Sequence, residues 1–310
     1  MRAAAIDAGS NTLRMLIGDV HDNVVSRIHA DRAVTRLAEG LRDTGILRQE
    51  NMRKSVSVLK DFSLSIAGYG VTMAKAVGTS ALRDAGNSRE FLDMVFQETG
   101  IKIEVISGIR EAELTVKGIL MGVKDTDDTS LIIDIGGGST EWIIHKNNEP
   151  PLCGSLPVGV VNLLERFIKT DPPASADIAS LNRELDAQIL PLKQAPAERD
   201  LSVKGFIGTG GTITTLACMD LQLKEYAYEK VHMHKIPLRR LYLLRDMLVS
   251  LPLDRRRNVA GLEPERTDLI IPGILLTIRL MDFLGFPEVT VSDHGLLEGL
   301  IKEMNDENGV

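Results

Sequence analysis

The stretch Leu131–His145 reads LIIDIGGGSTEWIIH, and it decides the predicted fold. Apolar residues lead to Asp134, three glycines and two hydroxyls follow, and Glu141 precedes a second apolar run. This pattern predicts a β-hairpin with an acid at each end of its loop. Glycines allow several backbone N–H groups to converge on one anion, and two acids beside such a loop require a cation. We therefore expect Mg²⁺ at Asp134 and Glu141; the alternative is a glycine-rich hairpin with surface acids.

The composition is typical of a globular α/β protein with an aliphatic core, since 44% of the 310 residues are apolar and only 4% are aromatic. This length is sufficient for two domains. The net charge of −7 argues against stable nucleic-acid binding, so local backbone donors and arginines must hold any anionic substrate. Two cysteines form neither a disulfide framework nor a zinc motif. No signal peptide or membrane span is indicated, and we expect a cytoplasmic protein without membrane contacts.

The N-terminal residues repeat the pattern of the central stretch. Asp7 ends an apolar run, a glycine lies two positions later, and the polar residues Ser10, Asn11 and Thr12 precede a second apolar run. The two strand–acid–turn–strand patterns lie 127 residues apart. They predict a duplicated domain with its active site between the halves. Chance is the alternative, because Asp-x-Gly is a short motif.

A third glycine-rich segment, Gly208–Thr212, lies between a predicted strand and a predicted helix that begins at Ile213. A glycine-rich turn that leads into a helix N-terminus favours anion binding. It is not a Walker loop, because no lysine follows the last glycine. By itself the segment could equally be an ordinary tight turn, but three such loops in one chain favour a phosphate site.

Three charged residues near predicted strand ends are further candidates. Arg83 lies in the first turn after a strand, where α/β sheets place ligands, and a solvated arginine is the alternative. Glu111 and Glu113 open a helix; one could be a general base, although acids in a first turn commonly only complement the helix dipole. Arg266 precedes the apolar helix Leu269–Leu284 and could face the active site.

These segments together resemble the exopolyphosphatase / guanosine pentaphosphate phosphohydrolase family, and the resemblance covers nearly the whole chain. It is carried by the three loops, by the two stretches GTSALR and SGIREA that start at Gly78 and Ser107, and by SDHGLLEG from Ser292. The resemblance implies α/β architecture: duplicated actin-like (ribonuclease H-like) domains with mixed five-stranded sheets and an interdomain cleft. It also implies Mg²⁺-dependent hydrolysis of the terminal phosphoanhydride of inorganic polyphosphate, or alternatively of guanosine pentaphosphate, a nucleotide of the stringent response.

The family's functional residues carry over position by position. Glu111 matches the glutamate that activates the attacking water, in the cleft, and Asp134 and Glu141 complete the predicted catalytic set. The predicted metal ligands are Asp134, Glu141 and Asp7, for Mg²⁺ or alternatively Mn²⁺. The predicted phosphate-binding residues are Ser10, Asn11, Thr12, Arg83, Gly136, Gly137, Gly138, Ser139, Thr140, Gly208, Thr209, Gly210, Gly211, Thr212 and Arg266.

The predicted domains are residues 1–124 and 125–295, with a closing helix at 296–310 that packs back on the first domain and a hinge near Lys124–Thr129. The family often has arginine where Leu297 stands, and its long members add a helical region after the two core domains, which we do not expect in this protein. A kinase of the same architecture and a non-catalytic binder of phosphate chains are the remaining alternatives. The sequence leaves open the preferred substrate and chain length, the metal in vivo and whether a homodimer forms.

Overall fold

The computed structural model describes residues 1–21, 24–123, 129–147, 149–197 and 202–308, with the backbone alone for 193–197. These residues form two compact units: unit 1 consists of Met1–Gly122 and His294–Val310, and unit 2 of Val123–Asp293. The predicted hinge lies outside the described residues except for Thr129. The domain boundaries that the sequence suggested therefore stay a prediction.

The first part of unit 1 contains five strands and five helices. They are β1 (Arg2–Ala8), β2 (Thr12–His21), β3 (Val24–Val34), α1 (Leu41–Thr44), α2 (Gln49–Gly68), β4 (Met73–Gly78), α3 (Ser80–Asp84), α4 (Ser88–Thr99), β5 (Ile103–Val105) and α5 (Gly108–Leu120). The strands form one sheet in the order β3-β2-β1-β4-β5. Strands β1, β2 and β3 pair antiparallel, whereas β1, β4 and β5 run parallel, so the sheet is mixed.

Unit 2 contains six strands, seven helices and one short 3₁₀ turn (Pro264–Arg266). They are β6 (Ser130–Ile135), β7 (Thr140–His145), β8 (Leu152–Leu156), α6 (Val160–Phe167), α7 (Ser175–Ala197), β9 (Gly205–Thr209), α8 (Gly210–Asp220), α9 (Tyr228–Val231), β10 (Lys235–Pro237), α10 (Leu238–Ser250), α11 (Leu253–Arg256), α12 (Ile270–Leu284) and β11 (Glu288–Val291). The strand order is β10-β11-β9-β6-β7-β8. The last helix, α13 (Leu296–Asn308), belongs to unit 1.

Both faces of the unit 1 sheet are covered by helices. On one face α2 and α4 contribute the fully buried rings of Phe62 and Phe91 to a cluster with Ile6 and Leu13. Burial of a side chain of this size stabilises the fold by about 1.5–3 kcal/mol relative to its exposure. On the other face, apolar residues of α5 and α13 pack against Ala5 and its neighbours. The amphipathic pattern of α2 follows from its position on one of these faces.

Helices α5 and α13 cross at two glycines. A Cβ atom at Gly118 would overlap the carbonyl oxygen of Gly295, and one at Gly299 would overlap the carbonyl oxygen of Leu114. The two backbones can approach this closely only because neither position carries a side chain. The crossing holds the C-terminal half of α5, the helix whose first turn bears Glu111, against the closing helix of the chain.

The two sheets share one strand order, which confirms the predicted duplication of an actin-like mixed α/β domain. Strands β3-β2-β1-β4-β5 correspond to β8-β7-β6-β9-β11, and all four pairings between neighbouring strands have the same direction in the two sheets. One count was wrong: the second sheet has six strands rather than five. The extra strand, β10, pairs antiparallel with β11 at the edge of the sheet.

Three local sequence patterns predict structures that differ from the ones observed. The polar residues 194–200 predict a break in the chain, but the backbone is helical as far as Ala197, and the rest lies outside the described residues. The alternation of His232 and His234 predicts that both lie on one face of a strand, but a turn with Met233 at φ 65° separates them. The polar chain end predicts fraying from Asn305, but it is helical as far as Asn308. In the described part of the chain, every helix is too short or too polar to cross a bilayer.

Candidate active site

In unit 1, the carboxyl ends of the parallel strands meet at one edge of the sheet. Asp7 lies next to the end of β1, Arg83 follows β4 in the short helix α3, and Glu111 follows β5 in the first turn of α5. The strand ends are aligned, since Ala8 pairs with Gly78 and the N–H of Ile106 donates to Gly78 O at 3.0 Å. The sheet therefore brings together residues that are far apart in the sequence, at the edge where α/β folds bind ligands.

Arg83 and Glu111 form a half-buried ion pair at this edge. Arg83 Nη1 donates to Glu111 Oε2 at 2.8 Å and to Ile106 O at 2.9 Å, and the side chains are only 20% and 10% exposed. Glu111 is also oriented by its helix, because the side chain of Ser107 caps the N-terminus of α5 by accepting the N–H of Arg110. A carboxylate in this position is held in one orientation, which a general base requires.

Asp7 is bound to a residue that the sequence reading did not single out, Arg14. Arg14 Nε and Nη2 donate to Asp7 Oδ2 at 3.0 and 2.6 Å. The other carboxylate oxygen, Asp7 Oδ1, is buried and accepts no hydrogen bond from the described residues. The predicted metal ligand Asp7 is thus neutralised by a guanidinium group and keeps one oxygen for a further donor or cation.

The loop after Asp7 is tied to the segment that follows β3. Asn11 O accepts the N–H groups of Thr35 and Arg36, and Ser10 O accepts that of Ala38. In a trans peptide, each N–H points opposite to the preceding C=O. The N–H groups of Asn11 and of the next residue, Thr12, therefore point away from this segment, in a loop suited to hold an anion.

In unit 2, the two acids of the central hairpin face each other across neighbouring strands. Asp134 pairs with Glu141 in the β6–β7 register, and directly opposite residues project from the same face of a sheet. Both side chains are buried, and Ser155 on β8 donates to Glu141 Oε1 at 2.7 Å. The hairpin that the sequence predicted is present, with its two acids next to each other.

The glycine loop of this hairpin is held by the start of α6. Val160 N donates to Gly136 O at 3.0 Å, Val161 N to Gly137 O at 2.9 Å and Asn162 Nδ2 to Gly138 O at 2.9 Å. The N–H groups of the three following residues, which include Ser139, consequently point away from α6. Thr140 is held as well, because its hydroxyl donates to Val158 O at 2.5 Å.

The third glycine-rich segment, Gly208–Thr212, consists of the end of a strand and the start of a helix, with no loop between them. Gly208 and Thr209 belong to β9, and α8 begins at Gly210 with φ +87°, a conformation that favours glycine. A Cβ atom at Gly210 would lie 2.5 Å from Asp134 Oδ1, and one at Gly211 would overlap the guanidinium of Arg266. Thr212 lies in the buried first turn of α8.

Arg266 is buried beside this helix start. Its Nε donates to Glu263 Oε2 at 3.0 Å. The buried Arg256 supports the same turn through a hydrogen bond to Thr267 O at 3.1 Å. Unit 2 therefore brings Asp134, the first turn of α8 and Arg266 together.

The carboxylates suit a magnesium ion that is completed by water and phosphate. Within the described ranges, no group of three or more His, Cys, Asp or Glu side chains forms a metal cage. Mg²⁺ commonly binds through one or two carboxylates together with substrate phosphates, so the adjacent pair Asp134 and Glu141 has the right chemistry. In unit 1, the buried oxygen Asp7 Oδ1 is an acceptor of the kind that Mg²⁺ or its bound water uses.

One feature of the site, Arg14, has a sequence signal that the sequence analysis did not use. Arg14 follows Asp7 by seven positions, as Glu141 follows Asp134, so the duplication itself identifies Arg14 as the counterpart of Glu141. Leu297, where the family often has arginine, packs against the apolar cluster between α13 and the unit 1 sheet.

Comparisons with known proteins agree with this architecture. The model of the Ppx/GppA phosphatase family matches residues 16–308. Exopolyphosphatase 2 of Mycobacterium tuberculosis is 29% identical over 96% of this chain and 97% of its own length. The crystal structure of an Aquifex aeolicus family member covers 99% of both chains at 31% identity with a TM-score of 0.84. An exopolyphosphatase from Cytophaga hutchinsonii, also 31% identical, covers 99% of this chain and 98% of its own with a TM-score of 0.92. Sequence, fold and site geometry agree, and the chain belongs to the Ppx/GppA phosphatase family.

Proposed function

We propose that the protein is an exopolyphosphatase, a hydrolase that removes the terminal phosphate from inorganic polyphosphate. The observation that carries the proposal is the ion pair between Arg83 and Glu111: it joins a phosphate-binding cation to a candidate base at the ligand-binding edge of the sheet. Two relatives support polyphosphate as the substrate, because similar proteins from Mycobacterium tuberculosis and Cytophaga hutchinsonii bear the name exopolyphosphatase.

In unit 1, the proposed reaction uses Glu111 as general base. A water oxygen attacks the terminal phosphorus, the bridging P–O bond breaks, and the proton of the water passes to the Glu111 carboxylate. Arg83 and the N–H groups of Asn11 and Thr12 bind the oxygens of the phosphoryl group, whose charge must be stabilised during transfer.

In unit 2, Asp134 and Glu141 would hold Mg²⁺, with Mn²⁺ as an alternative. When bound, the ion neutralises phosphate oxygens and helps to order the attacking water. The amides of Gly137, Gly138 and Ser139 would bind phosphate on the side away from α6, and Arg266 beside α8 would add a guanidinium donor.

Phosphate release from different substrates tests the proposal. The purified protein is incubated with polyphosphate, guanosine pentaphosphate and ATP plus a small acceptor, with Mg²⁺ and with EDTA. We expect release from polyphosphate that requires the metal and is faster than from the other two. Faster release from guanosine pentaphosphate would identify that nucleotide, and not polyphosphate, as the substrate. Phosphate transfer from ATP to the acceptor would indicate a kinase. Binding of polyphosphate without turnover would indicate a non-catalytic binder.

A further inference from the structure

Three charged side chains lie in a row at the edge of the unit 1 sheet where the carboxyl ends of its parallel strands meet. Arg14 on β2 pairs directly with Asp7 on β1, and Arg32 on β3 pairs directly with Arg14. Directly opposite residues in antiparallel strands project from the same face of the sheet. The three side chains therefore share one face, at the edge where Arg83 and Glu111 follow the neighbouring strands.

The charge of this row favours a polyanion. The row consists of two arginines and one aspartate, in a chain whose net charge is −7. The side chain of Arg14 is 32% exposed although it binds Asp7, and Arg32 is exposed at the end of the row. Arginine binds phosphate through a fixed fork of donors, so both groups suit a chain of phosphates.

The position of Arg32 in the sheet determines its distance from Arg83 and Glu111, where the proposed reaction takes place. The strand order is β3-β2-β1-β4-β5, and neighbouring strands lie about 4.8 Å apart, so Arg32 on β3 is about 14 Å from β4, which leads to Arg83. A linear polyanion that lies along the edge, with its terminal phosphate at Arg83 and Glu111, reaches Arg32 only through several phosphate units. A triphosphate has fewer phosphates to extend toward Arg32 than a long chain has.

We propose that Arg32 binds an internal phosphate of a long polyphosphate chain and thereby determines the preference for chain length. The inference rests on the proposed function, which puts the reacting phosphate at Arg83 and Glu111. The residue contacts the body of the substrate, distant from the bond that breaks, so it lowers KM for long chains and leaves kcat unchanged.

Kinetics with substrates of two lengths test the proposal. Wild type, Arg32→Gln and Arg32→Lys are compared on a long linear polyphosphate and on tripolyphosphate. The matched control is Arg89→Gln, which removes an exposed arginine from α4 in the same unit. Loss of one charge-assisted hydrogen bond should raise KM for the long chain about tenfold to a hundredfold in Arg32→Gln.

The expected pattern is specific to substrate length. Arg32→Gln leaves kcat/KM for tripolyphosphate within about twofold of wild type, Arg32→Lys recovers part of the affinity for the long chain, and Arg89→Gln resembles wild type on both substrates. Equal losses on both substrates, or none on the long chain, would overturn the proposal. Thermal unfolding of each variant identifies a folding defect, which would affect both substrates.

A binding measurement separates this inference from the proposed function. Long polyphosphate is titrated into wild type and Arg32→Gln in the presence of EDTA, at two salt concentrations. Weaker binding by the variant, together with a flatter dependence on salt, supports the role of Arg32 even if wild type releases no phosphate. Identical binding by the two proteins refutes it even if wild type is an active exopolyphosphatase.

Discussion

Glu111 Oε2 accepts a 2.8 Å hydrogen bond from Arg83 Nη1, and the same nitrogen donates to the main-chain carbonyl of Ile106. The arginine is thus fixed to the end of β5 and in turn fixes the carboxylate. Two residues 28 positions apart in the sequence are thus in direct contact. The guanidinium of Arg83, a group suited to binding phosphate, donates to the carboxylate of Glu111, which we propose as the base. The contact explains how a flexible glutamate at a helix start can be oriented before substrate binds.

Removal of the proposed base should nearly abolish turnover. Glu111→Gln keeps the shape of the side chain but cannot accept a proton, so we expect kcat to fall about 10²–10⁴-fold while polyphosphate binding changes little. Glu113→Gln is the matched control, because Glu113 lies one half-turn further along the same helix and is 46% exposed in a pair with Arg110. Substantial turnover by purified Glu111→Gln, or an equal loss in Glu113→Gln, would mean that another group is the base.

A methyl group at Gly211 should displace Arg266. The added Cβ would overlap the guanidinium, which must then leave its position beside the first turn of α8. We expect KM for polyphosphate to rise about tenfold in Gly211→Ala, because a charged phosphate contact is lost. The control is Gly68→Ala, where the new Cβ meets no atom within 4 Å. Unchanged kinetics in Gly211→Ala would remove Arg266 from the proposed phosphate site.

A methyl group at Gly118 should destabilise unit 1. The Cβ would meet main-chain atoms of Gly295 and Gly299, and backbone cannot rotate away as a side chain can. We expect a loss of about 1–3 kcal/mol in the free energy of unfolding, which exceeds the gain in helix propensity from glycine to alanine. Urea unfolding of Gly118→Ala and Gly68→Ala measures the difference. Equal stability of the two variants would show that α5 and α13 can separate at no cost.

The docking of α13 should weaken in acid. Burial opposes ionisation of Glu303, but the hydrogen bond from Arg110 and the charges of Arg110, Lys75 and Lys117 outweigh it and lower the pKa of the carboxyl below its ordinary 4.5. A carboxyl with a lowered pKa stabilises the folded state above the unfolded value and loses this contribution as the pH falls through the folded value.

Thermal unfolding of wild type and Glu303→Gln, measured from neutral to acid pH, tests whether the Glu303 carboxylate stabilises the docking of α13. Wild type should be the more stable at neutral pH, and the difference should shrink as the pH falls from 4.5 through the lowered pKa of Glu303. Comparison with the variant cancels the other carboxyl groups of the chain. A difference that stays constant from neutral to acid pH would mean that the charge of Glu303 does not stabilise α13.

The sequence by itself determined the repeated hairpin and its chemistry. The pattern around Asp134 and Glu141 predicted strand, turn and strand, because short continuous apolar runs are typical of buried strands and glycines permit the tight loop. The same logic at Asp7 identified the duplication, and the family model over residues 16–308 confirmed the family. Local patterns of this kind depend on neighbours within a few residues, which is why a single sequence reveals them.

Only the tertiary structure decided which distant residues meet. In the sequence, Arg14 was one basic residue in a strand, and the β1–β2 register showed that it pairs with Asp7. Arg83 could equally have been a solvated arginine and Glu111 an acid that complements the helix dipole, and the structure showed that the two form an ion pair. The sixth strand of the second sheet likewise depends on the pairing of β10 with β11. Register and sheet order arise from packing of the whole unit, in which long-range burial outweighs local preference, and this information is not contained in any one segment.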